Sequence, residues 1–344
     1  MRYKLLGKSG LRVSEISLGA MTFGDDWGWG ANRDESRRQF DLYAEAGGNF
    51  IDTANLYTNG SSEKLVGEFV APERDKWVVA TKYTFNHQNG EVNLSGNHRK
   101  NMVQAVNASL KRLNTDYIDL LWLHGWDFTT PVEEVMRSFD DLVRAGKVLY
   151  IGASDTPAWI VAKANTIAEL RGWTGFIGLQ IEYSLRQRAP ERDLIPMANH
   201  FDIGVTAWSP LGAGVLTGKY NKGAGSEPGR LAERGIKEHD LQIADAVVAI
   251  AKEIGKSPSQ VALNWLRQQP SRTNSVIPIV GARNAEQLKD NLACVEFELS
   301  AEHLKRLDEA SAIELGFPHD FLKSETVHKF ALSGTLEKID NHRE

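Results

Sequence analysis

The chain has 344 residues, 42% of them hydrophobic and 25% charged, with a formal net charge of -5 and a single cysteine, Cys294. That length suits one (β/α)8 barrel, and the composition is that of a globular chain able to bury a large core. The acidic balance excludes a general attraction to nucleic acid or anionic lipid, and one cysteine excludes an intrachain disulfide and a cysteine-based zinc site.

In chain order, Tyr3-Lys4-Leu5 and Leu11-Arg12-Val13 flank Gly7-Lys8-Ser9-Gly10 and predict a β-hairpin. Charge interrupts Met1 to Lys8 too often for a secretory apolar region, and no stretch reaches the roughly 18 apolar residues of a membrane span, so a cytoplasmic protein is expected. Eight short apolar strands then alternate with amphipathic helices. The strands are Ile16–Gly19, Phe50–Asp52, Trp77–Lys82, Tyr117–His124, Tyr150–Ser154, Leu179–Glu182, Ile203–Trp208 and Val276–Gly281. Val103, Val106, Leu110 and Leu113 share one helical face, and Val132, Val135, Phe139, Leu142 and Val143 share another. Strand alternating with helix calls for a parallel sheet with crossovers, and eight repeats favour closure into a barrel. The stretch from Leu211 to Asp240 is too long and glycine-rich for an ordinary connection and reads as a functional loop after the seventh strand. Residues after Ala312 form a tail, expected at the barrel mouth. With no Pro/Ser-rich linker to divide it, 1–344 reads as one domain.

Several strands end in a functional side chain: Asp52, Lys82, His124, Ser154 and Gln180. In a barrel, all face the same mouth. The segment from Phe50 to Glu63 turns polar at Asp52, carries Tyr57 in a loop, and reaches a helix expected to be capped at Ser62. Taken singly, Asp52 is a strand-end carboxylate and Tyr57 a packing residue as readily as catalytic groups. Together they supply a proton donor (Tyr57), a cation to lower its pKa from about 10 (Lys82), an anion to hold that cation (Asp52) and a donor able to polarise a carbonyl (His124).

These residues lie in segments that resemble the aldo-keto reductase family, specifically bacterial and plant aldo/keto reductases related to potassium-channel β subunits. The resemblance is carried by Gly48–Ala54 running on to Tyr57–Gly60, by Trp77–Lys82, by Ser109–Leu113 with Asp116–Asp119 and His124, and by Val205–Gly212 and Gly281–Arg283. It extends from about Tyr3 to about Asp308. It implies a TIM barrel whose site is Asp52, Tyr57, Lys82 and His124. There, hydride passes from a nicotinamide to an aldehyde or ketone carbonyl, while Tyr57 protonates the oxygen and His124 orients it. No G-x-G-x-x-G turn follows the first strand, as expected for a cofactor lying extended across the barrel mouth.

The resemblance further implies that Ala20, Met21, Ser154, Asp155 and Gln180 surround the nicotinamide end and that Trp208 stacks on the ring. Ser209, Pro210, Leu211, Gly212 and Lys219 would follow the pyrophosphate, and Gly281, Arg283, Gln287 and Asn291 the adenosine end. Arg283, placed before the helical run Glu286–Leu292, suits a 2'-phosphate and favours NADPH, with NADH as a weaker alternative. Two departures stand out: Asp155 where most relatives carry asparagine, and Ile279-Val280 where many carry a lysine-serine pair. Trp27, Trp29, Phe85 and Trp126, with Met21 and Phe317, are candidates for the substrate pocket and predict an apolar or aromatic carbonyl substrate. The alternative is a regulatory cofactor-binding protein like a channel β subunit, with little turnover. Those subunits carry another residue at the position of His124, which argues for catalysis. No heptad pattern predicts an oligomer, no metal is expected, and neither nucleic acid nor membrane is an expected partner.

Overall fold

In the computed structural model, which describes residues 1–86, 90–221, 235–269 and 276–340, the chain opens with an antiparallel hairpin, β1 (Tyr3–Leu5) and β2 (Arg12–Ser14). Eight parallel strands follow: β3 (Ser17–Gly19), β4 (Phe50–Asp52), β5 (Val78–Tyr83), β6 (Ile118–Leu123), β7 (Val148–Ser154), β8 (Gly178–Glu182), β9 (Gly204–Trp208) and β10 (Ile277–Val280). Closure, which the sequence rhythm suggests without proving, is made by β10, paired with β9 on one side and β3 on the other.

The helices around the barrel are α1 (Arg33–Glu45), α2 (Ser61–Val70), α3 (Arg99–Leu113), α4 (Val132–Arg144), α5 (Ala158–Arg171), α6 (Leu194–His200), α7 (Glu238–Ile254), α8 (Pro258–Arg267) and α9 (Ala285–Leu292), followed by α10 (Ala301–Ala310). Their ends follow local chemistry. In α8, Ser257 and Gln260 form a capping box ahead of Pro258, and α3 stops at Asn114 in the left-handed conformation. Helix α4 buries Val132, Val135, Phe139 and Leu142 on one stripe and places Glu133 and Glu134 in its first turn, where they complement the helix dipole.

Two hydrophobic layers result. The larger lies between the barrel and its helices; the smaller fills the barrel interior with Phe50, Val78, Leu120, Trp122 and Ile277, and Leu6 and Val13 of the hairpin region plug it from below. The strand register keeps the interior phase continuous. Asp52 lies opposite Ala80, Lys82 opposite Trp122, Gly152 opposite Gly178, and Gln180 opposite Thr206. Side chains alternate faces with a period of two, so Asp52, Lys82, Ser154, Gln180 and Trp208 share one inward phase at the C-terminal mouth. His124 follows Trp122 in that phase, just past β6.

The long stretch after β9 begins as a 3-10 turn at Gly212–Thr217 and ends in α7; residues 222–234 of it lie outside the described residues. The tail forms two short helices, α11 (His319–Leu322) and α12 (Glu325–Ala331). Its root is tied to the barrel by Arg192 Nη2, which donates to Glu314 O at 2.8 Å. No described helix is long and apolar enough to cross a membrane, and no metal-binding group of three ligands occurs among the described residues.

Trp122, fully buried inside the barrel, depends on two glycines. A Cβ at Gly152 would sit 2.3 Å from the indole, and one at Gly178 would sit 2.7 Å from it. We therefore expect Gly152→Ala to destabilise the fold by about 1–3 kcal/mol through overpacking. Denaturant unfolding would measure this, and an unchanged midpoint would show that the indole can shift.

Candidate active site

The site is built around a buried ammonium. Lys82 Nζ donates to Asp52 Oδ2 at 2.5 Å, to Thr53 O at 2.8 Å and to Tyr57 Oη at 3.1 Å, and its side chain has no solvent exposure. Three acceptors match the three donors of an ammonium, which is what permits its burial. Burial opposes the charge on Lys82, but Asp52 and Tyr57 outweigh it and hold the pKa above the ordinary lysine value. The second oxygen of Asp52 accepts from Gln180 Nε2 at 2.8 Å. The amide expected beside a nicotinamide thus also anchors the carboxylate.

Tyr57 behaves differently from the sequence expectation. Lys82 pulls its pKa down, but burial is the larger effect, and Asp52 and Asp155 add to it, so the phenol lies above its ordinary value. The phenol is therefore fully protonated near neutral pH.

The Tyr57 loop is held by hydroxyls. Tyr57 opens a 3-10 turn, Tyr57–Gly60, in which Thr58 and Asn59 have positive φ. Thr58 Oγ1 donates to Phe23 O at 2.6 Å and accepts from Ser62 N at 3.0 Å. Ser62 is not the helix cap that the sequence suggests: Gly60, at φ 92°, takes that position. The Ser62 hydroxyl is spent elsewhere, on Ala20 O at 2.6 Å and Thr53 Oγ1 at 2.7 Å.

Behind this loop lies Glu63, which the sequence reading did not single out. It is fully buried and accepts from Thr81 Oγ1 and Arg112 Nε, each at 2.6 Å. It thereby ties the first turn of α2 to the strand bearing Lys82. Its spacing from Val66 and Val70, on the buried face of α2, was the available signal.

His124 faces Tyr57 edge-on, with ring centroids 6.0 Å apart, and stacks at a tilt on Phe85 at 4.9 Å. Burial, reinforced by the Lys82 charge, pushes its pKa well below the ordinary histidine value, so the ring is neutral. Its Nδ1 is buried without a hydrogen-bond partner. That favours the tautomer with the proton on Nε2, because an unpaired buried N–H is costly. Trp27 meets Tyr57 edge-on at 6.4 Å and packs at a tilt on Trp29 at 5.4 Å, so Phe85 and Trp27 flank the Tyr57–His124 pair, with Trp29 against Trp27. Trp126 packs against the hydrophobic core instead, Met21 is half-buried, and Phe317 is 85% exposed against Phe321.

The remaining predicted residues lie along the mouth. Ser154 is buried at the end of β7, and the next residue, Asp155, has a positive φ of 42° and accepts from Trp208 Nε1 at 3.0 Å. Asp155 opens onto a cavity, yet enough protein surrounds it that burial pushes its pKa up to about 6, against the opposing pull of Trp208 and Lys82. Ser209, Gly212, Ala213 and Gly214 all have positive φ, and the N–H groups of Gly212, Ala213 and Gly214 are satisfied within the turn. The turn is thus preformed, with Pro210 buried and Leu211 half-buried in it. The ammonium of Lys219 lies 4.8 Å from the centre of the Tyr220 ring.

At the far end, Gly281 abuts Gly19, and exposed Arg283 precedes α9, its N–H donating to Gln287 Oε1 at 3.1 Å. Asn291 is buried within α9. Ile279 and Val280 are buried strand residues with no polar group to offer a ligand. The N–H of Ala285, in the first turn of α9, is taken by Glu35 Oε1 at 2.5 Å, and Glu35 in turn pairs with Arg38.

The titration of Asp155 generates a prediction. With a folded pKa near 6 against 3.8 for the free group, the native state binds more protons than the unfolded state between those values. Stability from this group is therefore fully present below pH about 4 and is lost as pH rises through about 6. Asp155→Asn keeps an acceptor for Trp208 and should remove that slope, so the unfolding free energy of the variant should gain on wild type across this window. Parallel pH–stability curves would show that Asp155 does not titrate as described.

Comparison with known proteins agrees with this arrangement. Residues 15–312 match the model of the aldo/keto reductase family. Over 97% of its length, the chain is 37% identical to the norsolorinic acid reductase of Aspergillus flavus, covering 87% of that protein. It is 38% identical to the aldo-keto reductase ausK of Emericella nidulans over 93% of this chain and 84% of that one. It is also 38% identical to an aryl-alcohol dehydrogenase [NADP(+)] of Phanerodontia chrysosporium over 90% and 86%, respectively. With a closed barrel, an aspartate-lysine-tyrosine cluster at its mouth and matches of this extent, the chain belongs to the aldo/keto reductase family.

Proposed function

We propose that this protein is an NADPH-dependent reductase of aromatic aldehydes or ketones, with Asp52, Tyr57, Lys82 and His124 as its catalytic residues. The observation that carries the reading is the phenol of Tyr57 within 3.1 Å of the buried ammonium of Lys82 and edge-on to the imidazole of His124. An alkoxide is far more basic than a phenolate, so a protonated phenol is a competent donor to a carbonyl oxygen as that oxygen gains charge. Lys82 then stabilises the phenolate left on Tyr57 through the bond it already makes. Asp52, held by Gln180, keeps Lys82 in place. The Nε2–H of His124 orients the carbonyl oxygen toward Tyr57. A neutral ring suits this task, because an imidazolium beside Lys82 would repel it.

The mouth residues fit a nicotinamide cofactor. Ser154, Asp155 and Gln180 would hold the carboxamide, Trp208 would lie against the ring, and Ser209 to Gly212 with Lys219 would follow the pyrophosphate. When bound, the cofactor supplies the hydride. Arg283 would meet a 2'-phosphate, which favours NADPH, and a relative named for NADP(+) supports that preference. Glu35 at the start of α9 and the apolar Ile279-Val280 pair weaken the discrimination and leave NADH as a poorer alternative. The relative named as an aryl-alcohol dehydrogenase and the aromatic side chains around Tyr57 and His124 support an aryl substrate, and the retained His124 favours turnover over a purely regulatory role.

Tyr57→Phe should lower kcat by roughly 10²–10⁴ while NADPH binding, followed by tryptophan fluorescence, is kept. Unchanged turnover would remove the proton-donor role. Arg283→Ala should weaken NADPH at least tenfold more than NADH, since one charge-assisted contact to phosphate contributes about 1.5–3 kcal/mol. Equal losses for both cofactors would remove its role in selecting NADPH.

A further inference from the structure

His124 is aimed by its backbone. An imidazole with an orienting task is ordinarily fixed by a hydrogen bond at its second ring nitrogen, yet the Nδ1 of His124 is buried without a partner. The main chain supplies the hold instead. The His124 N–H donates to Tyr83 O at 3.2 Å and to Thr84 Oγ1 at 3.3 Å. The following carbonyl, Gly125 O, accepts from Asn97 Nδ2 at 2.9 Å, and the same Nδ2 donates to Thr84 Oγ1 at 3.0 Å. One buried amide therefore grips the chain on both sides of the His124 side chain.

Asn97 has no part in the chemistry already described. It stands just before His98, the residue that caps α3, and is fully buried. Its hydrogen-bonding capacity is filled: Oδ1 accepts from Asp127 N at 2.8 Å, N–H donates to Asp127 Oδ2 at 2.6 Å, and the carbonyl accepts from Tyr83 Oη at 3.2 Å. Asp127 is fixed in turn by the N–H groups of Thr129 and Thr130. Thr84, buried just past β5, has a φ of 110°, which a β-branched residue adopts only where its surroundings impose it. Its carbonyl accepts from Gly96 N at 2.8 Å, and the next residue, Phe85, lies on the His124 ring at 4.9 Å. A Cβ at Gly125 would sit 2.6 Å from the Phe85 ring, so the glycine after His124 admits that stack.

We propose that Thr84 and Asn97 are positioning residues for His124, which direct its Nε2–H at the carbonyl oxygen by fixing the backbone on either side of it. The inference rests on the reading of His124 as the group that orients the substrate, and it adds the residues that make the orientation definite. Geometry of this kind weighs heavily on rate, since a misplacement of about 1 Å costs on the order of a hundredfold. The strained φ of Thr84 then has a use: it is held where its hydroxyl can accept from His124 and Asn97 together.

The test measures kcat and KM for ring-substituted benzaldehydes with NADPH, in the wild-type protein and on a His124→Ala background. Asn97→Ala and Thr84→Val should each lower kcat on the order of tenfold, while NADPH affinity, followed by tryptophan fluorescence, stays within about twofold. Thr84→Ser, which restores the hydroxyl, should recover most of the loss. On His124→Ala the same two substitutions should lower kcat by less than about twofold, because their effect passes through the missing ring. Thr84→Val is the milder change, since the His124 N–H keeps Tyr83 O and the Asn97 amide keeps Gly125 O, so it decides the matter where Asn97→Ala does not fold. In NMR spectra of protein with isotope-labelled histidine, the His124 ring signals, identified by their loss in His124→Ala, should move in both variants. Unchanged kcat, losses that persist in full on His124→Ala, or unmoved ring signals would overturn the positioning role and leave the reductase reading intact. Absence of wild-type turnover on every aldehyde, or full turnover in His124→Ala, would overturn that reading of the site and the proposal with it.

Discussion

The burial of one ammonium governs this site. Lys82 sits inside the barrel mouth with no solvent contact, and a charge there is tolerated only because Asp52, Thr53 and Tyr57 accept its three hydrogens. This constraint reaches outward. Asp52 has to be at the end of β4 with Ala80 opposite, so that Lys82 shares its inward phase two residues further on. Tyr57 has to leave the strand at once and return, which the left-handed turn at Thr58 and Asn59 accomplishes. Removing one partner would leave an uncompensated buried charge, far more costly than losing a surface pair.

The supporting layer has the same logic. Ser62, Thr53 and Thr58 use their hydroxyls to bolt the Tyr57 loop to the ends of β3 and β4, and Glu63 links α2 to β5 and to α3 through Thr81 and Arg112. The distance between phenol and ammonium is therefore set by several elements at once and not by the loop alone. On the other side of the mouth, the Asp155–Trp208 bond couples the wall of the site to its electrostatics, because the same carboxylate that orients the indole raises the pKa of Tyr57. Strained backbone gathers here too, at Asp155, Ser209 and Phe128, as is common where a site demands side-chain directions that relaxed loops do not supply.

Much of the fold was legible because its periodicities are strong. Each of the eight marked strands overlaps an observed one, and the stripes Val132–Val135–Phe139–Leu142 and Val106–Leu113 are the buried faces of α4 and α3. Strand-end Asp52, Lys82 and His124, with Tyr57 in the adjoining loop, were likewise visible, since a parallel barrel sends all strand ends to one mouth. Glu63 gave only a weak signal, its spacing from Val66 and Val70, because a glutamate in the first turn of a helix is ordinarily a solvated, dipole-complementing residue. Only the packing of α2 against α3 and β5 shows it to be buried. The pull of Lys82 on the Tyr57 pKa is in the expected direction, but the net shift is not. The pair Lys82–Tyr57 is apparent from residue types, but the burial that outweighs it is a property of the closed mouth.

The sequence by itself determined the strand–helix order and which polar side chains stand at or just beyond the strand ends, among them the four proposed as catalytic, because those depend on local periodicity and on residue identity. The tertiary structure decided closure through β10, the accommodation of Trp122 by Gly152 and Gly178, the pairing of Asp155 with Trp208 and the cavity beside them. Each of those joins residues distant in the chain. Their energies come from close packing and from desolvation, and neither exists until the barrel has closed.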